Sequence, residues 1–213
     1  MQSENLEELA RDLSTAIWHY HCAEQVGRAL NRMALCRVII PLLAEGRPVS
    51  PEDVATAAGS PLDEITAVIN QHMNVEYDED GRIAGAGLTL RPTRHKVLVD
   101  GRTLYTWCAL DALMYLPLLE RPVQVESLCA ATATPVRMTV TPQGVEDLDT
   151  PTAVMSVLKP QKGSSVRQAF CNHVNFFRSA EVAAPWLAQQ HEALILPVND
   201  AYELGKQLAQ QCC

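Results

Sequence analysis

The fold of this chain is organised around residues 106–113, which read TWCALDAL. Apolar side chains recur through and around this stretch at three- and four-residue spacing: Leu104, Trp107, Leu110 and Met114. Such spacing is typical of one face of an α-helix, so the sequence predicts a helix here. Because the stretch is otherwise apolar, any polar side chain inside it is costly to bury.

Cys108 and Asp111 are the two chemically reactive residues of this stretch. They stand three positions apart, so on a helix their side chains share one surface. A carboxyl group in apolar surroundings has its pKa raised and can hold a proton near neutral pH. The alternative is a buried core cysteine next to a solvated aspartate, because free cysteine is among the most buried residue types. The residues alone leave both interpretations open.

Size, composition and charge restrict the class of protein. A chain of 213 residues with 47% apolar and 20% charged residues is typical of a globular protein with one large domain, or one domain and a small one. The net charge of -8 argues against non-specific binding of nucleic acid, which needs a basic surface. No apolar run approaches the ~18 residues of a membrane-spanning helix. We therefore expect no nucleic-acid partner and no membrane association.

The cysteines indicate the compartment. The seven cysteines include no C-x-x-C pair, so a zinc ribbon or a thioredoxin motif is unsupported. The N-terminus is acidic and lacks the pattern of a signal peptide. We therefore expect a cytoplasmic protein, in which thiols stay reduced and serve as metal ligands, nucleophiles or core residues.

Residues 1–90 predict a helical, winged-helix-like domain. The expected elements are helices at residues 4–22 and 26–44, a short helix opened by a capping box at Ser50 and Asp53, a helix capped by Ser60 that runs to about Met73, and a hairpin turning at Asp80-Gly81. This order is that of a winged helix-turn-helix. The last helix begins with residues 62–65, LDEI, and offers no Lys or Arg to phosphates, so a packing role is favoured over DNA binding.

Residues 91–213 predict an α+β domain built on antiparallel strands. The expected strands are residues 96–99, 123–127, 136–140, 153–158, 174–177 and 194–196, and helices are expected at 180–190 and 198–211. The fold class is therefore α+β, with the helical winged-helix-like domain preceding the α+β domain.

Three motifs in this order resemble the bacterial organomercurial lyases, also called alkylmercury lyases. They are residues 105–111 (YTWCALD), 129–132 (CAAT) and 167–177 (RQAFCNHVNFF). The stretches 46–50, 76–81 and 87–91 are also similar to that family. The resemblance covers about residues 40–208, whereas the first ~35 residues match the family poorly and read as an added helix that covers the small domain or forms a dimer contact.

The resemblance implies a lyase that splits a carbon–mercury bond and releases a hydrocarbon and Hg(II). It implies that Cys108 and Cys171 bind the mercury and that Asp111 moves the proton. The chemistry suits these residue types, because mercury is soft and thiolate is the softest ligand in proteins. A thiol must lose its proton before it attacks, so a base such as Asp111 is needed next to Cys108.

The resemblance also implies the partners of the reaction. No organic cofactor is needed, and Hg(II) stays on Cys108 and Cys171 as the product until external thiols remove it. The acceptor is expected to be a mercuric reductase or a small thiol.

Cys129, His173 and Trp107 also lie in these motifs. Cys129 matches a third family cysteine and is expected to be structural. His173 either tunes Cys171 or is a polar residue on a strand, and Trp107 either shields the site or is core. Cys212 and Cys213 at the chain end form either a mercury shuttle or a tail without function.

Two alternative functions belong to other classes. One is a winged-helix regulator that binds mercury or another soft metal without catalysis. The acidic chain and the presence of Asp111, which a passive thiolate site does not need, argue against it. The other is a hydrolase using Cys108 and His173, which lacks a recognisable residue to orient the histidine.

Overall fold

A computed structural model describes residues 3–22, 32–158, 166–190 and 193–211. The helices are α1 (Ser3–Cys22), α2 (Arg32–Ala44), α3 (Pro51–Ala58), α4 (Leu62–His72), α5 (Ala109–Tyr115), α6 (Val166–Ala169), α7 (Ala180–Leu187) and α8 (Val198–Gln211). The strands are β1 (Glu76–Tyr77), β2 (Ile83–Ala86), β3 (Leu88–Thr89), β4 (His95–Val99), β5 (Arg102–Thr106), β6 (Val123–Leu128), β7 (Pro135–Thr141), β8 (Gly144–Glu146), β9 (Val154–Leu158), β10 (Phe176–Phe177) and β11 (Ala193–Pro197). Among these described helices, none has the length and apolar character to span a bilayer.

The capping box predicted before α3 is confirmed. The Ser50 hydroxyl accepts a hydrogen bond from the Asp53 amide at 3.0 Å, and the Asp53 carboxylate accepts one from the Ser50 amide at 3.2 Å. The similar cap predicted at Ser60 is wrong. Pro61 is extended, with φ -58° and ψ 142°, so α4 begins one residue later with Pro61 as its N-cap. The Ser60 hydroxyl donates to the Ala58 carbonyl instead.

The N-terminal helix belongs to the main core. Leu6, Ala10 and Leu13 of α1 are buried, and α1 packs against α4 and α8. Their spacing of three and four residues places these side chains on one helix face. Helix α8 in turn packs on α5, so α8 connects the first helix to the central one.

An eight-stranded antiparallel sheet forms the body of the protein, in the order β1-β2-β3-β5-β4-β6-β7-β8. The hairpin predicted at Asp80-Gly81 is confirmed, with β1 and β2 paired in antiparallel fashion. The sheet crosses residue 90 without interruption, because Leu88 of β3 pairs with Thr106 of β5. The division of the chain into domains at residue 90 stays a prediction.

Strand β5 corrects the prediction that the helix of residues 106–113 includes Leu104 and Trp107. Leu104 lies on β5, and the helix begins only at Ala109. Asp100 and Gly101 both adopt positive φ, at 48° and 76°, and form the hairpin turn that returns the chain as β5. The apolar residues that share this spacing therefore lie partly on β5 and partly on α5, and they do not form one helix face.

A second, three-stranded antiparallel sheet has the order β10-β9-β11. Helix α7 packs against it, and α8 follows directly after β11. The α+β class predicted from the sequence, with helices first and antiparallel strands after, is confirmed. Strand β8 is an additional strand that the sequence analysis did not predict.

Candidate active site

Cys108 is the N-cap of α5 and not a residue within the helix, which corrects the expected geometry. Its backbone is extended, with φ -147° and ψ 174°, and its Sγ accepts a hydrogen bond from the Asp111 amide at 3.4 Å. Asp111 is thus the third residue of the helix, where a capping box places its acidic member. The Thr106 hydroxyl donates to the Cys108 carbonyl at 2.9 Å. The N-cap and the first turn of α5 therefore position both reactive groups.

Cys171 lies on a short 3₁₀ turn, Cys171–His173, which follows α6. The turn is held by Ser156 of β9, whose hydroxyl donates to the His173 carbonyl at 2.7 Å and accepts from the Asn175 amide at 2.9 Å. The Ala109 amide donates to the Val174 carbonyl at 3.0 Å. This last hydrogen bond ties the start of α5 to the loop of Cys171, and so brings the two cysteines together.

The structure brings the three predicted site residues into one cluster. The Sγ atoms of Cys108 and Cys171 and a carboxylate oxygen of Asp111 all lie within 4.8 Å of one another. The three residues are only 0%, 4% and 6% exposed, respectively for Cys108, Cys171 and Asp111. Two metal–thiolate bonds of about 2.3 Å, as zinc forms, span about 4.6 Å. The spacing therefore suits one soft ion held between the two sulfurs.

The electrostatics of the cluster keep Cys108 protonated. Burial raises the pKa of the Cys108 thiol well above its ordinary value, and the neighbouring Cys171 thiol and Asp111 charge raise it further. The hydrogen bond from the Asp111 amide acts in the opposite direction but is weaker. The N-terminus of a helix favours a thiolate, yet here burial outweighs it. A group that accepts the thiol proton is therefore needed before Cys108 can bind a metal.

Trp107 directly precedes Cys108, just after the end of β5. It is buried, and its indole Nε1 has no hydrogen-bond partner among the described residues. The guanidinium carbon of Arg167 lies 5.5 Å from the centroid of the indole ring, which is a cation–π arrangement. Arg167 also forms an ion pair with Glu76 of β1. Trp107 is thus a core residue, and its role in shielding the site stays a prediction.

The remaining predicted residues lie outside the cluster. Cys129 is buried in a separate group of apolar side chains with Val154, Phe177 and Ala183. Burial opposes ionisation of Cys129, but hydrogen bonds from the Thr132 hydroxyl and from nearby backbone amides outweigh it and lower its pKa. A structural role for Cys129 stays a prediction.

His173 and the two cysteines at the chain end are the last of the residues that the sequence singled out. His173 is half-buried and follows the turn that carries Cys171, but it is not among the residues whose ligand atoms cluster. Its role stays a prediction. Cys212 and Cys213 lie outside the described residues.

Sequence reasoning missed Glu76 and the role of Arg167. Both lie in stretches that carried the family resemblance, but nothing in either stretch indicates that the two meet. His95 was also missed: it is a buried residue of β4 whose Nδ1 lies 2.8 Å from the Ser127 hydroxyl. Its sequence signal was weak, because histidine is intermediate in burial and its type alone does not indicate a core position.

Comparison with known families gives a consistent result over almost the whole chain. A family model described as alkylmercury lyase matches residues 88–210, and one described as the helix-turn-helix domain of alkylmercury lyase matches residues 8–87. The expectation that the first ~35 residues lie outside the resemblance is therefore wrong. Short motifs do not detect α1, because a packed helix is recognised by its apolar face and not by particular residues.

Individual relatives and one solved structure agree with the family models. The alkylmercury lyase of Staphylococcus epidermidis is 47% identical over 85% of this chain and 84% of its own length. Those of Streptomyces lividans and Pseudomonas putida are 44% and 41% identical, over 96% and 93% of this chain and 92% and 95% of their own lengths. The crystal structure of the mercury-bound form of MerB2 covers 99% of this chain and 100% of its own, with a TM-score of 0.72 and 21% identity. At 21% identity this likeness shows only a shared fold. None of these comparisons supports the alternative function of a winged-helix regulator.

Proposed function

The chain belongs to the alkylmercury lyase family and cleaves the carbon–mercury bond of organomercurials in mercury resistance, and we propose that Cys108, Cys171 and Asp111 carry out this cleavage. The observation that supports this assignment is the cluster itself. Two thiols and a carboxyl lie within 4.8 Å of one another, shielded from water. Protonolysis requires ligands for a soft metal and a proton donor, and this cluster can supply both.

In the first step Cys108 attacks the mercury of the substrate. Its pKa is raised by burial, so the free enzyme holds a thiol. Asp111 accepts the thiol proton, because its amide already contacts the Cys108 sulfur at 3.4 Å and its carboxylate is part of the cluster. The resulting thiolate forms a sulfur–mercury bond and displaces the thiolate that accompanied the organomercurial.

In the second step Cys171 gives its proton to the displaced thiolate R′S⁻ and adds a second sulfur to the mercury. The extra ligand increases the electron density on the mercury-bound carbon, which becomes basic enough to take a proton. Asp111 returns the proton it holds to this carbon, and the carbon–mercury bond breaks. Written for a substrate R–Hg–SR′, two cysteine thiols give R–H, R′SH and Hg(II) held by two thiolates, so atoms and charges balance.

Product release completes the cycle and needs no organic cofactor. Hg(II) bound by two buried thiolates is held tightly, so external thiols exchange for Cys108 and Cys171 one at a time. The acceptor is a mercuric reductase or a small thiol. Four buried cysteines of the described residues form no disulfide, which suits a cytoplasmic enzyme.

The fate of mercury tests the roles of the two cysteines. One equivalent of methylmercury is mixed with the full-length parent protein, methane is measured, and protein-bound Hg(II) is determined after desalting. We expect one methane and one retained Hg(II) per chain, and release of the metal on adding excess thiol. The Cys171→Ala variant should bind methylmercury through Cys108 but release at least 100-fold less methane per unit time.

A matched control is Cys36→Ala. Cys36 is equally buried but lies in α2, outside the cluster. This variant should behave like the parent. Methane release by Cys171→Ala at the parental rate would contradict the assignment of the second thiolate.

A further inference from the structure

The active site is closed to solvent in this structure, although its substrate must enter. Cys108 is 0% and Cys171 4% exposed, so neither sulfur can meet an organomercurial unless some part of the protein moves. Most of the surroundings are tightly packed core, including α5 and α8. Arg167 is different, because its side chain is 39% exposed and yet lies over Trp107, the neighbour of Cys108.

Arg167 is held in this position by strands β1, β2 and β3, residues 76–89, which form the wing of the helix-turn-helix region. Its guanidinium forms an ion pair with Glu76 of β1, whose side chain is only 10% exposed. The Thr89 hydroxyl of β3 donates to the second carboxylate oxygen of Glu76 at 2.6 Å. One acidic side chain therefore links the wing to Arg167 through two polar contacts.

The wing provides a fitted space for this carboxylate. Gly85 of β2 lies opposite Glu76 in the strand register. A Cβ atom on Gly85 would lie 2.6 Å from the Glu76 carboxylate oxygen and 2.8 Å from the Thr89 hydroxyl. A side chain at residue 85 would therefore displace the carboxylate, so the glycine at this position preserves the ion pair.

We propose that Arg167 is an access gate for the active site and that Glu76 is its latch. When the ion pair is formed, the guanidinium stays on the Trp107 indole and the thiols are covered. When it breaks, Arg167 leaves the ring and Cys108 and Cys171 become reachable. The inference rests on the proposed role of these thiols in mercury binding. Glu76 thereby acts through Arg167 as a positioning residue, contributed by the helix-turn-helix region.

Alkylation of individual cysteines tests the gate without using the enzymatic reaction. Full-length protein is treated with N-ethylmaleimide, and the labelling rate of each cysteine is obtained by peptide mass spectrometry. A buried thiol reacts in proportion to the population of the open state. Loss of a partly buried ion pair worth about 1.4 kcal/mol raises that population about tenfold. We therefore expect Cys108 and Cys171 to label about tenfold faster in Glu76→Gln and in Arg167→Gln.

The two variants also separate the gate from a direct effect of charge on the thiols. They remove opposite charges, so a through-space effect on thiol ionisation would shift the labelling rates in opposite directions. An opened gate raises both rates, and the double variant should add little to either single one. Asp80→Asn is the matched control, since Asp80 pairs with Arg82 in the same hairpin but is 72% exposed.

Cys36 reports whether the fold itself has loosened, because it is buried in α2 far along the chain from the gate. The gate predicts unchanged labelling of Cys36 in all variants. Equal acceleration at Cys36 would show that the ion pair stabilises the fold as a whole, and would overturn the proposal. So would unchanged labelling of Cys108 and Cys171. Neither result depends on methane release, so the assignment of the catalytic residues is tested separately, by the methane experiment.

Discussion

Cys108 occupies a position where two physical effects oppose each other. A helix N-cap stabilises an anion through the helix dipole and through the amide of the third residue. Complete burial destabilises the same anion by removing water. In this protein burial prevails and the thiol keeps its proton. In the proposed mechanism Asp111 takes this proton when the substrate arrives.

The raised pKa of Cys108 predicts a loss of stability at alkaline pH. In the unfolded chain the thiol ionises near its ordinary value of 9.0, whereas the folded protein holds the proton to higher pH. Above pH 9 the unfolded chain therefore binds fewer protons, and the free energy of unfolding falls by up to about 1.4 kcal/mol per pH unit. We expect urea unfolding at pH 8.5 and pH 10 to show a steeper loss for the parent than for Cys108→Ser. Equal losses would mean that the thiol ionises normally in the folded protein.

His95 predicts a loss of stability at acid pH. Burial, with a smaller effect of the Arg94 charge, lowers the pKa of His95 from 6.5 to about 3. Between these values the unfolded chain binds a proton that the folded protein excludes, so stability present above pH 6.5 is lost as the pH falls. The loss from this group is up to about 1.4 kcal/mol per pH unit. His95→Gln should therefore lose less stability than the parent between pH 7 and pH 5 in urea unfolding, and an identical loss would refute the shift.

At the scale of elements, the turn between β2 and β3 supports the active site directly. Gly87 has a φ of +92°, and a Cβ atom there would overlap the ring of Tyr115 on α5. Its carbonyl accepts a hydrogen bond from the Trp107 amide at 2.9 Å. The turn thus determines where β5 ends and where the residue before Cys108 lies.

Replacing Gly87 by alanine is therefore expected to lower both stability and activity. Overlap with Tyr115 and the strained backbone should together reduce the free energy of unfolding by about 2–4 kcal/mol. The shift of Trp107 should lower the rate of methane release about tenfold or more. Gly101→Ala is the control, because Gly101 has φ +76° but open space around it. It should cost about 1–2 kcal/mol and leave the rate of methane release unchanged in the folded protein.

The prediction of elements from sequence succeeded where a local signal was sufficient. The capping box at Ser50 and the Asp80-Gly81 turn each depend on a few neighbouring residues. It failed at β5, because a short apolar run looks alike on a buried strand and a buried helix. The Asp100-Gly101 turn carried the missing information, since such a dipeptide usually joins two strands.

The residues of the site were predictable, but their arrangement was not. Cys108 and Asp111 are close in the chain, so a local cap fixes their relation. Cys171 is brought close to Cys108 by the hydrogen bond from the Ala109 amide to the Val174 carbonyl. The chain between the two cysteines is long, so the sequence alone sets no distance between them. The ion pair of Glu76 with Arg167 joins remote elements in the same way. Contacts between distant segments arise from the packed fold, and no short motif records them.

At the scale of the whole molecule, the helix-turn-helix region and the catalytic region share one sheet. Strand β3 lies on one side of residue 90 and β5 on the other, and they are hydrogen-bonded neighbours. The ion pair between Glu76 and Arg167 also spans this boundary. In this enzyme the helix-turn-helix fold thus serves as a structural part of the catalytic unit.

This shared sheet predicts that residues 91–213 do not fold alone. Removing the first ninety residues deletes α1 and β3, which exposes the edge of β5 and the apolar face of α8. An unpaired edge and an uncovered face favour aggregation over a cooperative fold. We expect the fragment to show no cooperative urea transition by circular dichroism. A cooperative transition would instead make residue 90 the border of an independent domain.

In the proposed mechanism one carboxyl group, Asp111, takes a proton from Cys108 and delivers it to carbon. The most direct test is a single turnover of the Asp111→Asn variant with one equivalent of methylmercury, in which protein-bound mercury and released methane are both measured. We predict that the variant still binds the organomercurial through its thiols at high pH, but releases methane at least 100-fold more slowly than the parent. Methane release at the parental rate from the mercury-bound variant would contradict this account.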